Sequence, residues 1–96
     1  MISDYTFFNC DSLTRIIIPD DVQRISSNAF KSCNSLTSVI IPSSILSIGD
    51  EAFYSCRALT NMQYRGTEEQ WSAIVKGQYW DLFVDDYTII YNYTGE

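Results

Sequence analysis

The sequence predicts an α/β solenoid: one short coil of chain, repeated and stacked, with a parallel sheet along one side and a helix–strand cap at the C-terminal end. Three observations predict it. First, like residues recur at one interval. Cys10, Cys33 and Cys56 step by 23, as do Phe7, Phe30 and Phe53, Leu13, Leu36 and Leu59, and Thr14, Thr37 and Thr60. Periods of roughly 20 to 50 residues mark stacked units. Second, each unit carries a β-rich pattern closed by proline, "LTRIIIP" and "LTSVIIP". Third, the period decays after Leu59 and is followed by a helix signature and one more β-rich run.

The repeats are expected at 2–24, 25–47 and 48–66, with the cap at 67–96, in a single domain. Within a unit, apolar residues at L-x-x-I-x-I read as a strand. Pro19 and Pro42 end it, since proline has no N–H for a ladder. "VQRI" and "ILSI" then make a second short extended piece, and "SSNAFKSC" and "GDEAFYSC" a compact turn or short helix on the far side. Stacking aligns like residues in columns that form the core: Leu13/Leu36/Leu59, Ile16/Val39/Met62, Ile18/Ile41/Tyr64, Val22/Ile45, Ile25/Ile48 and Phe7/Phe30/Phe53. No single coil buries its own apolar side; its neighbours do so.

The third unit departs from the pattern where Arg65 stands in place of the proline and Glu68 in place of Val22 and Ile45. Thr67 with Gln70 three residues later forms a capping box. Glu68 and Glu69 suit the positive helix start, Trp71, Ile74 and Val75 give a helical stripe, and Lys76 and Gly77 end it. "YTIIYNY", Tyr87–Tyr93, alternates and predicts a last parallel strand reached by a crossover. At the other end the array begins mid-unit. The open column tops, Ile2, Phe7, Leu13 and Ile16, predict upstream repeats in a longer parent or self-association through this end.

Composition narrows the function. The chain carries net charge −6, no histidine, and six Lys/Arg with no cluster, which argues against nucleic acid and anionic membrane as partners. No apolar run is long enough to span a membrane, and "MISDYTFFNC" lacks the basic start and apolar centre of a secretion signal. With 15% aromatic residues the chain is expected to fold.

Leu13–Pro19, Ala29–Cys33, Leu36–Pro42 and Ala52–Cys56, with their L-x-x-I-x-I-P and A-F-x-x-C patterns, resemble BspA-like leucine-rich repeats. The resemblance implies that the parallel sheet lines a concave face. It also implies an extracellular setting, in bacterial surface proteins that adhere to host or matrix proteins. Helix-plus-strand endings close similar arrays.

Few residues invite chemistry. Three cysteines at the repeat interval fit no zinc pattern, and without histidine none has the usual base of a thiol nucleophile; they read as a buried column. Asp20-Asp21, Asp50-Glu51, Glu68-Glu69 and Asp85-Asp86 are adjacent pairs that point apart. Asp81, Asp85 and Asp86 are the loosest candidate for a cation, but no metal or cofactor is expected. The cap aromatics, in "QYWDLF" above all, either seal the last coil or present an interface patch. Residues between the core columns face outward from the sheet: Arg15, Ser38 and Asn61 in one ladder, Ile17, Ile40 and Gln63 in the next, with Ile90 and Asn92 added by the last strand. Ile17 and Ile40 place apolar surface where solvent is expected. The expected function is therefore non-catalytic binding of a protein partner at this face, with a purely structural terminal module of a longer repeat protein as the alternative.

Overall fold

A computed structural model describes residues 12–84 and 87–94. The expectations for Ile2, Phe7 and Cys10, and for Asp85 and Asp86, lie outside those residues. The elements run β1 (Arg15–Ile17), β2 (Arg24–Ile25), β3 (Ser38–Ile41), β4 (Ser47–Ile48), β5 (Asn61–Tyr64), α1 (Glu68–Ala73), β6 (Val75–Lys76) and β7 (Thr88–Ile90). Two parallel sheets result, one ordered β1-β3-β5-β7 and the other β2-β4-β6. This is the β-solenoid that the repeat predicts.

The register explains the period. Ile16 pairs with Val39 and Val39 with Met62, each one repeat on. Core residues are thereby stacked: Leu36 on Leu59, Val39 on Met62, Ile41 on Tyr64, Ile25 on Ile48, all buried, with Leu13 and Ile16 half-buried against them. The rings of Phe30 and Phe53 are 5.1 Å apart and within 5° of parallel. The recurrent threonine also has its reason. Thr37 donates from its backbone N–H (2.8 Å) and its hydroxyl (2.9 Å) to the carbonyl of Thr14. Thr60 repeats this on Thr37. A hydroxyl at the strand entrance thus reinforces the coil-to-coil ladder.

The third side of a coil, where described, is a string of turns. In 26–33, Ala29, Lys31 and Cys33 donate backward to Ser26, Asn28 and Phe30. Between them, Asn28, Phe30 and Ser32 donate forward to Asp50, Ala52 and Tyr54 of the next coil, at 2.8–2.9 Å. The alternation requires left-handed residues, and Asn28, Ser32, Glu51 and Ser55 have φ between 56° and 64°. Among the described residues, successive coils are therefore tied by backbone hydrogen bonds in both sheets and along the turn strings, which satisfies backbone polar groups while the columns fill the middle.

The C-terminal segment is a fourth coil enlarged by a helix. Asn61 pairs with Thr88 and Ser47 with Val75, each a longer step along the chain than the one that separates the earlier coils. Glu51, Phe53 and Ser55 donate to Gln78, Trp80 and Leu82 just as the previous coil donates to them. "QYWDLF" is thus the turn string of the last coil, with Tyr79 and Phe83 at the left-handed positions.

Three sequence expectations are corrected here. The apolar spacing carries the helix through Val75, but α1 stops at Ala73: Ile74 is extended (ψ 129°) and Val75 donates to Leu46 at 3.2 Å, so sheet bonding wins over helical continuation. Lys76 accordingly does not end a helix by position; it stands in β6 opposite Ile48. Its Nζ still reaches the helix end, donating to the carbonyls of Trp71 (2.7 Å) and Ile74 (3.3 Å) and lying 4.7 Å from the Trp71 ring. Finally, the last strand covers Thr88–Ile90 rather than Tyr87–Tyr93. The capping box forms as expected: Gln70 N–H donates to Thr67 Oγ1 (3.1 Å) and Thr67 N–H to Gln70 Oε1 (2.8 Å).

Candidate functional site

The outward face of the four-stranded sheet is built by the same register that builds the core. In a strand, alternate side chains face opposite sides. With Val39, Ile41, Met62 and Tyr64 turned inward, two outward ladders follow. One is Arg15, Ser38, Asn61 and Thr88; the other is Ile17, Ile40, Gln63 and Ile90. Seven of the eight residues singled out from the sequence lie in these ladders. Asn92 does not. It falls beyond β7 with φ 55°, and its N–H donates to the carbonyl of Gly66 at 2.8 Å. Thr88 takes the sheet position instead. The sequence reading carries the last strand through Tyr93 and so sets Asn92 on the face, whereas β7 ends at Ile90 and pairs Thr88 with Asn61.

Exposure divides the face into edges and a middle. Ile17 is 42% exposed and Ile90 38%, whereas Ile40 between them is 0% exposed. The expectation of solvent at Ile40 is therefore wrong. Its register neighbours Ile17 and Gln63, one strand spacing of about 4.8 Å to either side, flank it on its own face. Arg15 and Thr88 are exposed, and Ser38, Asn61 and Gln63 half-buried. The face thus offers apolar surface at both sheet edges and a recessed middle. Arg15 is the one charge in the ladders, in a chain of net charge −6.

Two residues beyond Ile40 and Gln63, the same face continues with Pro42, buried, and Arg65, half-buried. Gln63 Oε1 and Arg65 Nε are buried there without a hydrogen-bond partner. Arg65 Nη1 donates to the Tyr93 carbonyl at 3.5 Å, and the guanidinium lies 5.8 Å from the Tyr93 ring.

The other candidate groups are occupied by structural roles. Cys33 and Cys56 are buried. Cys56 Sγ donates to the Phe30 carbonyl at 3.0 Å, and burial pushes its thiol up to about 12, which keeps it protonated and unreactive at neutral pH. Glu51 pairs with Lys31 at 2.8 Å. Asp50 accepts from the Gln78 N–H at 2.7 Å. Asp81 accepts from the Tyr87 hydroxyl at 2.8 Å, and burial with this bond pushes the phenol upward. Among the described residues no group of three or more His, Cys, Asp or Glu could hold a metal, and no helix is long and apolar enough to cross a membrane.

The cap aromatics divide between both expected roles. Trp71 is buried and meets Tyr64 (5.1 Å) and Trp80 (5.9 Å) edge-on, and Trp80 meets Phe53 at 6.4 Å, so these rings close the core of the last coils. Tyr79, Leu82 and Phe83 are exposed, Phe83 lying against Tyr54 and under Arg57.

A family model described as a BspA type leucine rich repeat region, of six copies, matches residues 1–74. Neither a curated protein nor a solved structure gives a match.

Proposed function

The chain belongs to the BspA-type leucine-rich repeat family, and from that membership we propose that it is an adhesion module, binding a host or matrix protein at a bacterial cell surface through the outward face of its four-stranded sheet. Leucine-rich repeat folds generally serve protein–protein interaction and scaffolding, are typically non-catalytic, and in this family are often surface-associated. The observation that carries the proposal is the pair of exposed isoleucines, Ile17 and Ile90, at the two edges of one rigid parallel sheet. Parallel sheets are usually covered on both faces, so apolar side chains left facing solvent support an interface there. Recognition would rest on shape and side-chain ladders, with no bond made or broken. The face is nearly uncharged, which suits a neutral or apolar partner surface better than a polyanion.

The test is binding to a panel of purified extracellular-matrix proteins by surface plasmon resonance, with wild type and an Ile17→Lys/Ile90→Lys variant. The proposal expects a binder for the wild type, at least tenfold weakened in the variant, with an unchanged thermal melt. If the variant binds as the wild type does, the face is not the interface. A purely structural terminal module is then the better reading, one whose sensitive positions are the closing rings Trp71 and Trp80.

A further inference from the structure

The turn strings have a direction. In the coil that holds Phe53, the carbonyls of Asp50, Ala52 and Tyr54 accept from the coil before, and the N–H groups of Glu51, Phe53 and Ser55 donate to the coil after, at 2.7–3.0 Å. In the last coil the carbonyls of Gln78, Trp80 and Leu82 are taken in the same way. The matching donors there are the N–H groups of Tyr79, Asp81 and Phe83, and among the described residues they have no acceptor. Tyr79 and Phe83 repeat the left-handed backbone of Glu51 and Ser55, with φ 58° and 65°. The array is therefore set in the geometry with which the earlier coils bind.

The side chains show the same open end. In the column Ile16, Val39, Met62, Ile89 the two middle members are buried and the two end members half-buried. In the outward ladder beside it Ile40 is covered, whereas Ile17 and Ile90 at the two ends are exposed. The helix closes only part of the last coil, where Trp71 and Ile74 are buried; Trp80, Val84, Tyr87 and Tyr91 remain half-buried. Among the described residues β1 pairs only with β3, and β7 only with β5, so each keeps one free edge.

We propose that copies of this chain stack head to tail, the last coil of one receiving the first coil of the next. A shift of four coils, about 19 Å at one strand spacing each, lays β1 of the next copy on β7 in the parallel register used within the chain. Arg15 then meets Thr88, Ile16 meets Ile89 and Ile17 meets Ile90. Each exposed isoleucine gains the neighbour that it lacks, and Ile40, flanked on both sides, shows the burial that follows. The segment before β1 carries the turn-string sequence, with Phe7 for Phe30 and Cys10 for Cys33, a sequence of the kind these donors grip in the earlier coils. An unrelated extended segment would answer the β7 edge alone; a repeat coil answers the edge, the column and the turn string together. Two last coils are a poor match for each other, since their turn strings would set donors against donors. A head-to-tail contact does not close on itself, so growth continues past the dimer. This goes beyond the adhesive reading and does not depend on it, because the outward sheet face stays open along the stack.

The test is sedimentation velocity of the wild type over about 10 μM to 1 mM, the range of weak interfaces. The proposal expects a mean mass that rises with concentration beyond that of a dimer. Thr88→Lys/Ile90→Lys sets one lysine opposite Arg15 of the next copy and another opposite Ile17, and should weaken association about tenfold. Adding Arg15→Glu/Ile17→Glu to that variant should restore association, since each new lysine then meets a glutamate of the next copy. Within one chain these positions lie on the first and last strands of the sheet, so the rescue reports contact between copies. All four residues are exposed, and a thermal melt checks that the variants fold. Should the double variant fail to fold, amide signals of the wild type decide: dilution should move the N–H resonances of Tyr79, Asp81 and Phe83 and leave that of Phe53 in place. A wild type that is monomeric throughout overturns the proposal. So does association that stops at the dimer, a double variant that associates as the wild type does, or a fourfold variant no stronger than the double. The adhesive reading fails separately: matrix-protein binding without stacking removes this inference alone, and stacking without any matrix-protein binder removes the adhesive role alone.

Discussion

Phe53 is the side chain on which three coils converge. It is fully buried, stacked on Phe30 at 5.1 Å from the coil before and met edge-on by Trp80 at 6.4 Å from the coil after. Phe53→Ala removes the ring that links those two neighbours. A buried Phe→Ala change costs about 3–5 kcal/mol in transfer and cavity terms. Aromatic pairs contribute a further ~0.5–1.5 kcal/mol each beyond their area. The expected loss is therefore about 4–8 kcal/mol, against a total of about 5–15 kcal/mol for a domain of this kind. At about 4–8 °C per kcal/mol for this size, the midpoint should fall by more than ~15 °C. Urea denaturation followed by far-UV circular dichroism measures the loss. A double-mutant cycle with Phe30→Leu and Phe53→Leu isolates the stacked pair, where a coupling of about 0.5–1.5 kcal/mol is expected. A Phe53→Ala loss under about 1 kcal/mol would refute the reasoning, and so would a strictly additive cycle, since either means the rings do not share one column.

Other perturbations test other joints. Gly49 passes so close to the coil before it that an added Cβ would meet the backbone of Ser26 and Ser27; Gly49→Ala should cost about 1–3 kcal/mol by overpacking, and a neutral result in urea denaturation would mean the coils are further apart. Thr67→Ala removes half of the capping box and should cost about 1 kcal/mol, measured in the same way. The Cys56 thiol, raised from 9.0 to about 12 in the fold, keeps its proton where the unfolded chain has lost it. Stability should therefore fall as pH rises from about 9 toward 12, with a shallower fall in Cys56→Ala. At pH 8, a thiol reagent should modify Cys56 only as fast as the protein opens; rapid modification without unfolding would contradict its burial.

Much of this architecture is legible because solenoid physics writes itself into the chain as a period. Leu36, Val39, Ile41, Ile48 and Phe53 are buried where the repeat columns place them, and the Thr67–Gln70 box is a local signal that needs no tertiary context. What escapes the sequence has one main cause. The last coil inserts a helix, the step lengthens, and counting by the earlier period loses register. Such counting leaves "QYWDLF" as cap aromatics when it is the turn string of the last coil, while Asn92 is set on the sheet because the alternation of "YTIIYNY" runs past Ile90, where β7 ends. Val75 looks helical because Trp71, Ile74 and Val75 fit the i, i+3, i+4 spacing. The partner strand β4, unseen in local sequence, decides that stretch. Alternation places Ile40 in solvent because it assigns a side of the sheet and not a depth; the burial of Ile40 depends on how the neighbouring ladder residues flank it. The orphaned Gln63 Oε1 and Arg65 Nε leave no sequence signal beyond the arginine that displaces the repeat's proline.

Methyl-to-methyl nuclear Overhauser contacts test the stacking of successive coils most directly. The account predicts cross-peaks linking Ile16 to Val39 and Val39 to Met62, side chains one repeat apart and paired in register, with Leu36 likewise linked to Leu59. Absence of these contacts, or contacts that join Val39 to residues one position off that register, would contradict it.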